Sequence, residues 1–261
     1  MKRLILPLFL ALTLALSGCA PSAGGDTLPP SETARTSPSG AAQTPPDTPA
    51  PSPAQETADY TVERQDRSIL NSDGTTALSW YCDLVRLTGD TPEIQTINDS
   101  LSAHCDEFFA KDVGDVPLDK DHEMVWRNTA EATVTENENG LFSVRMDTDW
   151  YMGGVYNSNS LGYTYDLATG EELGLADLTG QDPETLAATL RQLVKAYMAT
   201  MPEAGWWEDA ADIVDSRSLE DMIFWVEGGK IVLCFSTYDL AIGAHGPDII
   251  PTGIIAEHGI D

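Results

Sequence analysis

Basic side chains are scarce in this sequence. Only 14 Lys and Arg stand against 42 Asp and Glu, which sets the formal net charge at −28. A surface of that sign repels phosphate, so nucleic acid and anionic lipid headgroups are excluded as partners. Basic proteins, cationic ligands and plain solubility stay open. Cysteine is scarce too: Cys19, Cys82, Cys105 and Cys234 are the whole set. No Cys-x-x-Cys spacing occurs among them, which excludes a zinc knuckle or a thioredoxin-like pair. None of His104, His122, His245 and His258 falls in a His-Glu-x-x-His spacing. His104 reads as a helix flank residue. His245, in the loop Ala244-His245-Gly246-Pro247, reads first as a turn residue, although its setting also suits function. There is no Gly-x-Ser-x-Gly elbow and no glycine-rich phosphate cradle. Residues 119–123 (Asp-Lys-Asp-His-Glu) alternate oxygen ligands but lack the glycine and distal glutamate of a calcium loop. No metal, no cofactor and no catalytic set is expected.

Long apolar runs are equally rare. One, at residues 4–16, follows Lys2 and Arg3. It falls short of the roughly 20 residues a spanning helix needs, and it has the layout of a secretory signal. The run ends in Leu16-Ser17-Gly18-Cys19, which resembles the lipobox of bacterial lipoproteins. That resemblance implies a signal peptide at 1–18 and a Cys19 that is lipidated on sulfur and becomes the mature N-terminus. Two acyl chains anchor stably where one holds only marginally. The expected location is therefore the outer side of the cell membrane, with the lipid on Cys19 as the membrane contact. The alternative is ordinary secretory cleavage with Cys19 as a bystander.

Residues 19–58 are Pro, Ser, Thr, Ala and Gly with scattered charges, and hold nine of the 16 prolines. Such a composition buries too little apolar surface to offset its ordering entropy, so a disordered stalk is expected. Residues 59–261 keep a charge near −27. They are expected to form the folded ectodomain, with a smaller part at about 59–115 and a larger one at about 116–261.

Within it, residues 78–87 alternate around Trp80, Cys82 and Leu84 and predict a strand. Thr91-Pro92 supplies an N-cap and a first-turn proline. Ile94, Ile97, Leu101, Cys105 and Phe108 then recur at helical steps, which predicts a helix over 91–111. Cys82 and Cys105 meet if that helix lies on the sheet, as a disulfide or as two buried thiols. Strands at 124–135 and 141–151 are separated by the turn residues Asn137-Glu138-Asn139-Gly140. A strand at 161–167 runs into the turn 168–171. Asp182-Pro183 opens a second helix carrying Leu186, Leu190, Leu193, Val194 and Tyr197. Residues 222–226 and 231–237 predict a hairpin across Glu227-Gly228-Gly229. The order predicts an α+β fold, a mainly antiparallel sheet packed by two amphipathic helices.

Among polar candidates, Trp206-Trp207 beside Glu208-Asp209 reads as a sugar-binding corner, because indoles stack on sugar rings and carboxylates accept hydroxyl protons. The opposing reading puts the indoles in the core. Cys234 sits mid-strand and reads as packing.

Two stretches carry a wider likeness. One is Gly153-Gly154-Val155 followed by Leu161-Gly162-Tyr163-Thr164-Tyr165-Asp166-Leu167-Ala168-Thr169-Gly170-Glu171-Glu172-Leu173. The other is Phe235-Ser236-Thr237-Tyr238-Asp239-Leu240-Ala241 with Gly243 and Ile249-Ile250-Pro251. Together they resemble the RsiV-like extracytoplasmic domain, a domain of unknown function shared by the anti-sigma factor RsiV and the N-terminal part of the deacetylase PdaC. Residues 60–109 are similar to the smaller domain that accompanies it. The family often has a histidine soon after the paired glycines where this chain has Tyr156, so no role of that histidine carries over. The sigma-binding segment of RsiV and the metal-dependent domain of PdaC have no counterpart in the sequence. The resemblance therefore implies only the sensing half, which in RsiV recognises the strongly basic protein lysozyme. The expectation is a non-enzymatic binding or sensing lipoprotein, with a peptidoglycan fragment or a cationic protein as ligand and Tyr156, Trp206 and Trp207 as contacts. The alternatives are a cell-wall hydrolase or transferase acting through Glu208 or Asp209, and a structural envelope lipoprotein.

Overall fold

The computed structural model describes residues 57–111, 113–119 and 125–257. The signal segment 1–18, Cys19, the stalk up to residue 56, His122, His258 and most of the acidic run at 119–123 lie outside the described residues. The chain forms β1 (Tyr60–Asp66), β2 (Ile69–Leu70), β3 (Thr76–Leu87), α1 (Pro92–Ala110), β4 (Trp126–Glu138), β5 (Leu141–Met152) and β6 (Val155–Asp166). It continues through α2 (Pro183–Thr200), α3 (Ala210–Ser216), β7 (Ile223–Glu227), β8 (Lys230–Phe235) and β9 (Asp248–Ile255). One sheet runs β1-β3-β4-β5-β6 with β2 also on β3, and a second runs β7-β8-β9. Every pairing is antiparallel except β3 with β4, which α1 connects as a crossover. The fold is α+β. The point near residue 115 falls between α1 and β4, and the six-stranded sheet continues across it.

Local chemistry accounts for the two long helices. Thr91 accepts the amide of Ile94 at 3.3 Å, and Asp182 accepts that of Thr185 at 3.0 Å, each followed by proline at the first helical position. Such caps satisfy amides that the helix itself leaves without partners. The stripe Ile94, Ile97, Leu101, Cys105 and Phe108 packs on Trp80, Cys82, Leu84, Ala130, Val144, Met146 and Tyr165 to form the first core. Asn98 ties α1 to the end of β3 by exchanging hydrogen bonds with Leu87, accepting its amide at 2.8 Å and donating to its carbonyl at 3.0 Å. The second core joins Leu186, Leu190 and Val194 of α2 to Val214 of α3 and to Val226, Ile231, Leu233, Phe235 and Ile250 of the small sheet.

The hairpins are tighter than the sequence pattern indicates. Glu138 pairs with Leu141, so the first turn is Asn139-Gly140 alone and Asn137-Glu138 belong to β4. Asn139 and Gly140 take φ of 54° and 77°, and Gly228 and Gly229 take 56° and 70°. Two positive values in succession mark the turn whose twist matches the flanking strands.

The two sheets meet where β7 crosses β5 and β6. A Cβ on Gly162 would lie 1.8 Å from the carbonyl oxygen of Phe224, so only glycine permits this approach. Thr135, the extra residue in an irregular stretch of β4, donates to the carbonyl of Val226 at 2.7 Å. Ser143 accepts the amide of Val226 at 3.0 Å, and Glu136 accepts that of Gly229 at 2.6 Å.

Candidate ligand-binding cleft

Side chains alternate across a strand, so the residues of β3 to β6 that do not face α1 line the opposite face of the large sheet. The lateral register decides which of them meet. Glu131 stands opposite Asp147, which stands opposite Ser160; Thr129 stands opposite Asp149, which stands opposite Ser158; Tyr81 stands beside Thr129. Together with Arg127 these residues floor a cleft of about 420 Å³, and Pro247 and Ile249 wall it from the small sheet.

Each of the three carboxylates here has an arginine within 4 Å, Glu131 having Arg64 at 3.7 Å and Asp147 having Arg145 at 3.0 Å, and each is held by hydrogen bonds. Glu131 accepts the phenol of Tyr81 at 2.6 Å, and Asp149 accepts that of Tyr156 at 2.6 Å. Asp147 accepts Ser160 Oγ at 2.6 Å and Arg145 Nε at 3.1 Å. Arg127 stands 3.8 Å from Asp149. Both phenols are pushed above the usual tyrosine range. Burial is the main cause for Tyr81, followed by its bond to Glu131; the bond to Asp149 is the main cause for Tyr156. Each phenol therefore stays a donor. A carboxylate has about four acceptor sites, so all three retain capacity for the N–H or O–H groups of a ligand.

The loop between β8 and β9, which brings Pro247 to the cleft, is held by several hydrogen bonds. Thr237 donates its amide to Asn159 Oδ1 at 2.8 Å and its hydroxyl to the carbonyl of Ser158. Asp239 accepts the amide of Ser236 and the guanidinium of Arg217, both at 3.0 Å. Buried Asp248 holds His245, with Nε2 to Oδ1 at 2.8 Å. Between these anchors Tyr238 takes φ 74°, a left-handed conformation that costs a side-chain-bearing residue roughly 1–2 kcal/mol. Its ring lies over Gly243, where an added Cβ would come 2.1 Å from a ring carbon. It is nevertheless 52% exposed. Strain carried by an exposed aromatic and fixed by its surroundings is a mark of a functional position. Sequence reasoning reads the segment 235–241 only as part of a family resemblance and misses Tyr238. An aromatic residue just before Asp239 and near Gly243 is the available signal.

The expected contact residues separate. Tyr156 lies near the tip of the β5–β6 hairpin and reaches the cleft through Asp149. Trp207, 38% exposed, donates to the carbonyl of Tyr238 at 3.2 Å and forms with Tyr238 and Ile242 an exposed apolar corner. Trp206 is half-buried. Its Nε1 donates to the carbonyls of Met198 at 3.1 Å and Met201 at 2.9 Å, closing the C-terminal end of α2. None of the three lines the cleft itself. Glu208 and Asp209 are exposed ahead of α3. His104 is more than a flank residue: it stacks on Tyr163 at 3.8 Å, and its Nε2 lies 3.0 Å from Glu172 Oε2. Ser100 donates to the same oxygen at 3.0 Å, so α1 is clamped to the segment after β6. Among the described residues no group of three His, Cys, Asp or Glu side chains is placed to hold a metal ion, and no helix is long and apolar enough to cross a membrane.

No family model and no curated protein matches the chain. Among solved structures it is similar to a DUF3298 family member from Bacteroides fragilis, at 14% identity and a TM-score of 0.47, over 76% of this chain and 91% of that one. It is likewise similar to a DUF3298 family protein from Pseudomonas aeruginosa, at 14% identity and a TM-score of 0.48, over 78% and 95% of the respective chains. Neither description states a ligand or an activity.

Proposed function

We propose that this chain is a lipid-anchored extracytoplasmic binding protein with an RsiV-like domain, and that its cleft receives a basic side chain of a cationic protein. The observation that carries the reading is the convergence of Glu131, Asp147 and Asp149 on one walled cleft, each with acceptor capacity left over. A lysine or arginine entering it gains hydrogen bonds to charged acceptors, each contributing about 1.5–3 kcal/mol. The surplus negative charge of the whole domain draws such a partner over a Debye length of about 8 Å at physiological salt. The membrane anchor belongs to the same proposal and rests on the sequence at 16–19.

Calorimetry of the purified full chain with hen lysozyme, at low and physiological salt, tests it. One-to-one binding that survives physiological salt is expected, weakened about tenfold or more by Glu131→Gln with Asp147→Asn. Binding that disappears with salt and ignores both substitutions would mean that net charge alone is at work. The exposed corner of Trp207, Tyr238 and Ile242 favours a second reading, a peptidoglycan sugar stacked on the rings. Saturable binding of an N-acetylglucosamine oligomer, lost in Trp207→Ala and kept in the cleft variant, selects that one. Peptidoglycan turnover abolished by Glu208→Gln or Asp209→Asn selects the hydrolase instead.

A further inference from the structure

The three cysteines of the folded domain are not equivalent. Cys82 lies on the face of β3 that receives α1, and Cys105 lies on the stripe of α1 that packs there; both are buried in the first core. Cys234 sits on β8, in a separate cluster with Trp225 and Val232. Its thiol leans on the carbonyl of Phe235 at 3.6 Å, and burial pushes it up to about 12. Nothing in that cluster offers a second sulfur. In the first core the opposite holds: the thiol of Cys82 faces that of Cys105 within hydrogen-bonding reach.

We propose that Cys82 and Cys105 are a disulfide site, which on oxidation links β3 covalently to α1 and leaves Cys234 as a thiol. The pair bridges the two elements that carry the first core. Either sulfur can make the first attack, and the route through Cys105 stands for both. With a small-molecule disulfide such as oxidised glutathione as the oxidant, the Cys105 thiolate attacks one glutathione sulfur and expels the other as a thiolate. Cys82, losing its proton, then attacks the Cys105 sulfur of the mixed disulfide and expels the second glutathione. One S–S bond forms in the protein and one breaks in the oxidant. The two electrons reduce oxidised glutathione to two glutathione molecules, and the two cysteine thiol protons are taken up by them. Because both sulfurs are buried in the native fold, the exchange takes place during folding or when α1 opens locally, and packing then shields the product.

The inference does not depend on where the protein resides or what it binds, because the oxidant is supplied. The full chain is unfolded in urea, refolded in a buffer containing oxidised and reduced glutathione, denatured in acid and alkylated before and after reduction, and each cysteine peptide is followed by mass spectrometry. The expected result is a linked pair of Cys82 and Cys105 peptides lighter by two hydrogens than the separate thiols, with Cys234 alkylated before reduction. Cys82→Ser should expose Cys105 to the first label. Alkylation of Cys82 and Cys105 before reduction in the unsubstituted protein overturns the proposal. So does pairing of either with Cys234, or glutathione retained on Cys105.

Discussion

Replacing Gly162 by alanine is the sharpest test of how the two sheets are joined. The new Cβ would lie 1.8 Å from Phe224 O and 2.5 Å from Phe224 C, both backbone atoms on the adjacent sheet. Ordinary contact begins near 3.4 Å, so β7 has to retreat from β6 by more than an ångström. Overpacking of this kind costs about 1–3 kcal/mol. The retreat also stretches the bonds of Val226 to Thr135 and Ser143, 2.7 and 3.0 Å long, each contributing about 1 kcal/mol. Restricting the unfolded chain returns about 0.4–1 kcal/mol. The net expectation is a loss of about 3 kcal/mol, which lowers the melting midpoint of a domain this size by about 6–12 °C. Gly174→Ala is the control, since its Cβ meets only the movable carboxylate of Asp177 at 3.3 Å. Urea titrations of both variants, monitored by fluorescence, should separate them by about 2 kcal/mol or more. If the two midpoints agree within about 0.5 kcal/mol, the close approach of β6 to β7 is wrong, and with it the placement of the cleft's far wall.

The loop beside the cleft and the clamp on α1 yield two further tests. Tyr238→Gly relieves a left-handed φ at the cost of a half-exposed ring, so its thermal midpoint should match or exceed that of the unsubstituted protein while affinity for an N-acetylglucosamine oligomer falls; a drop of several degrees with affinity intact would make Tyr238 structural. For Glu172, burial pushes the carboxyl up, but the bonds from His104, Ser100 and Tyr165 outweigh it and hold the group below its ordinary value of 4.5. Its stabilisation is therefore complete above that ordinary value and is lost as pH falls through the lower folded value. Acid unfolding of Glu172→Gln should accordingly lack that part of the low-pH limb, and an unchanged limb would refute the clamp.

Much of the scaffold is legible residue by residue. Thr91-Pro92 and Asp182-Pro183 act locally, and the stripes beyond them face the cores they predict. The strands that escape notice do so for identifiable reasons. β1 is an edge strand whose residues are all exposed, so it has no buried alternation to read. β9 contains Pro251 and Gly253, which weaken any strand signal, yet an edge strand tolerates a residue that donates no hydrogen bond. The middle of β6, Ser158 to Ser160, is polar because it lines the cleft rather than the core.

Legibility of the site stops sooner. With 42 acidic residues in the chain, no spacing rule singles out Glu131, Asp147 and Asp149. They come together because β4 and β5 pair in one register, and a shift of one residue in that pairing would put Glu131 on the opposite face from Asp147 and Asp149. Trp206 and Trp207 look alike in sequence but differ in the fold, because one indole closes the end of α2 and the other remains exposed beside Tyr238. By itself the sequence determined the local features: helix starts, the places where the chain turns, apolar faces and the sign of the charge. These depend on propensities and on contacts a few residues apart. The tertiary structure alone decided which carboxylates share a cleft and where Tyr238 is strained, because each depends on partners brought together from distant parts of the chain.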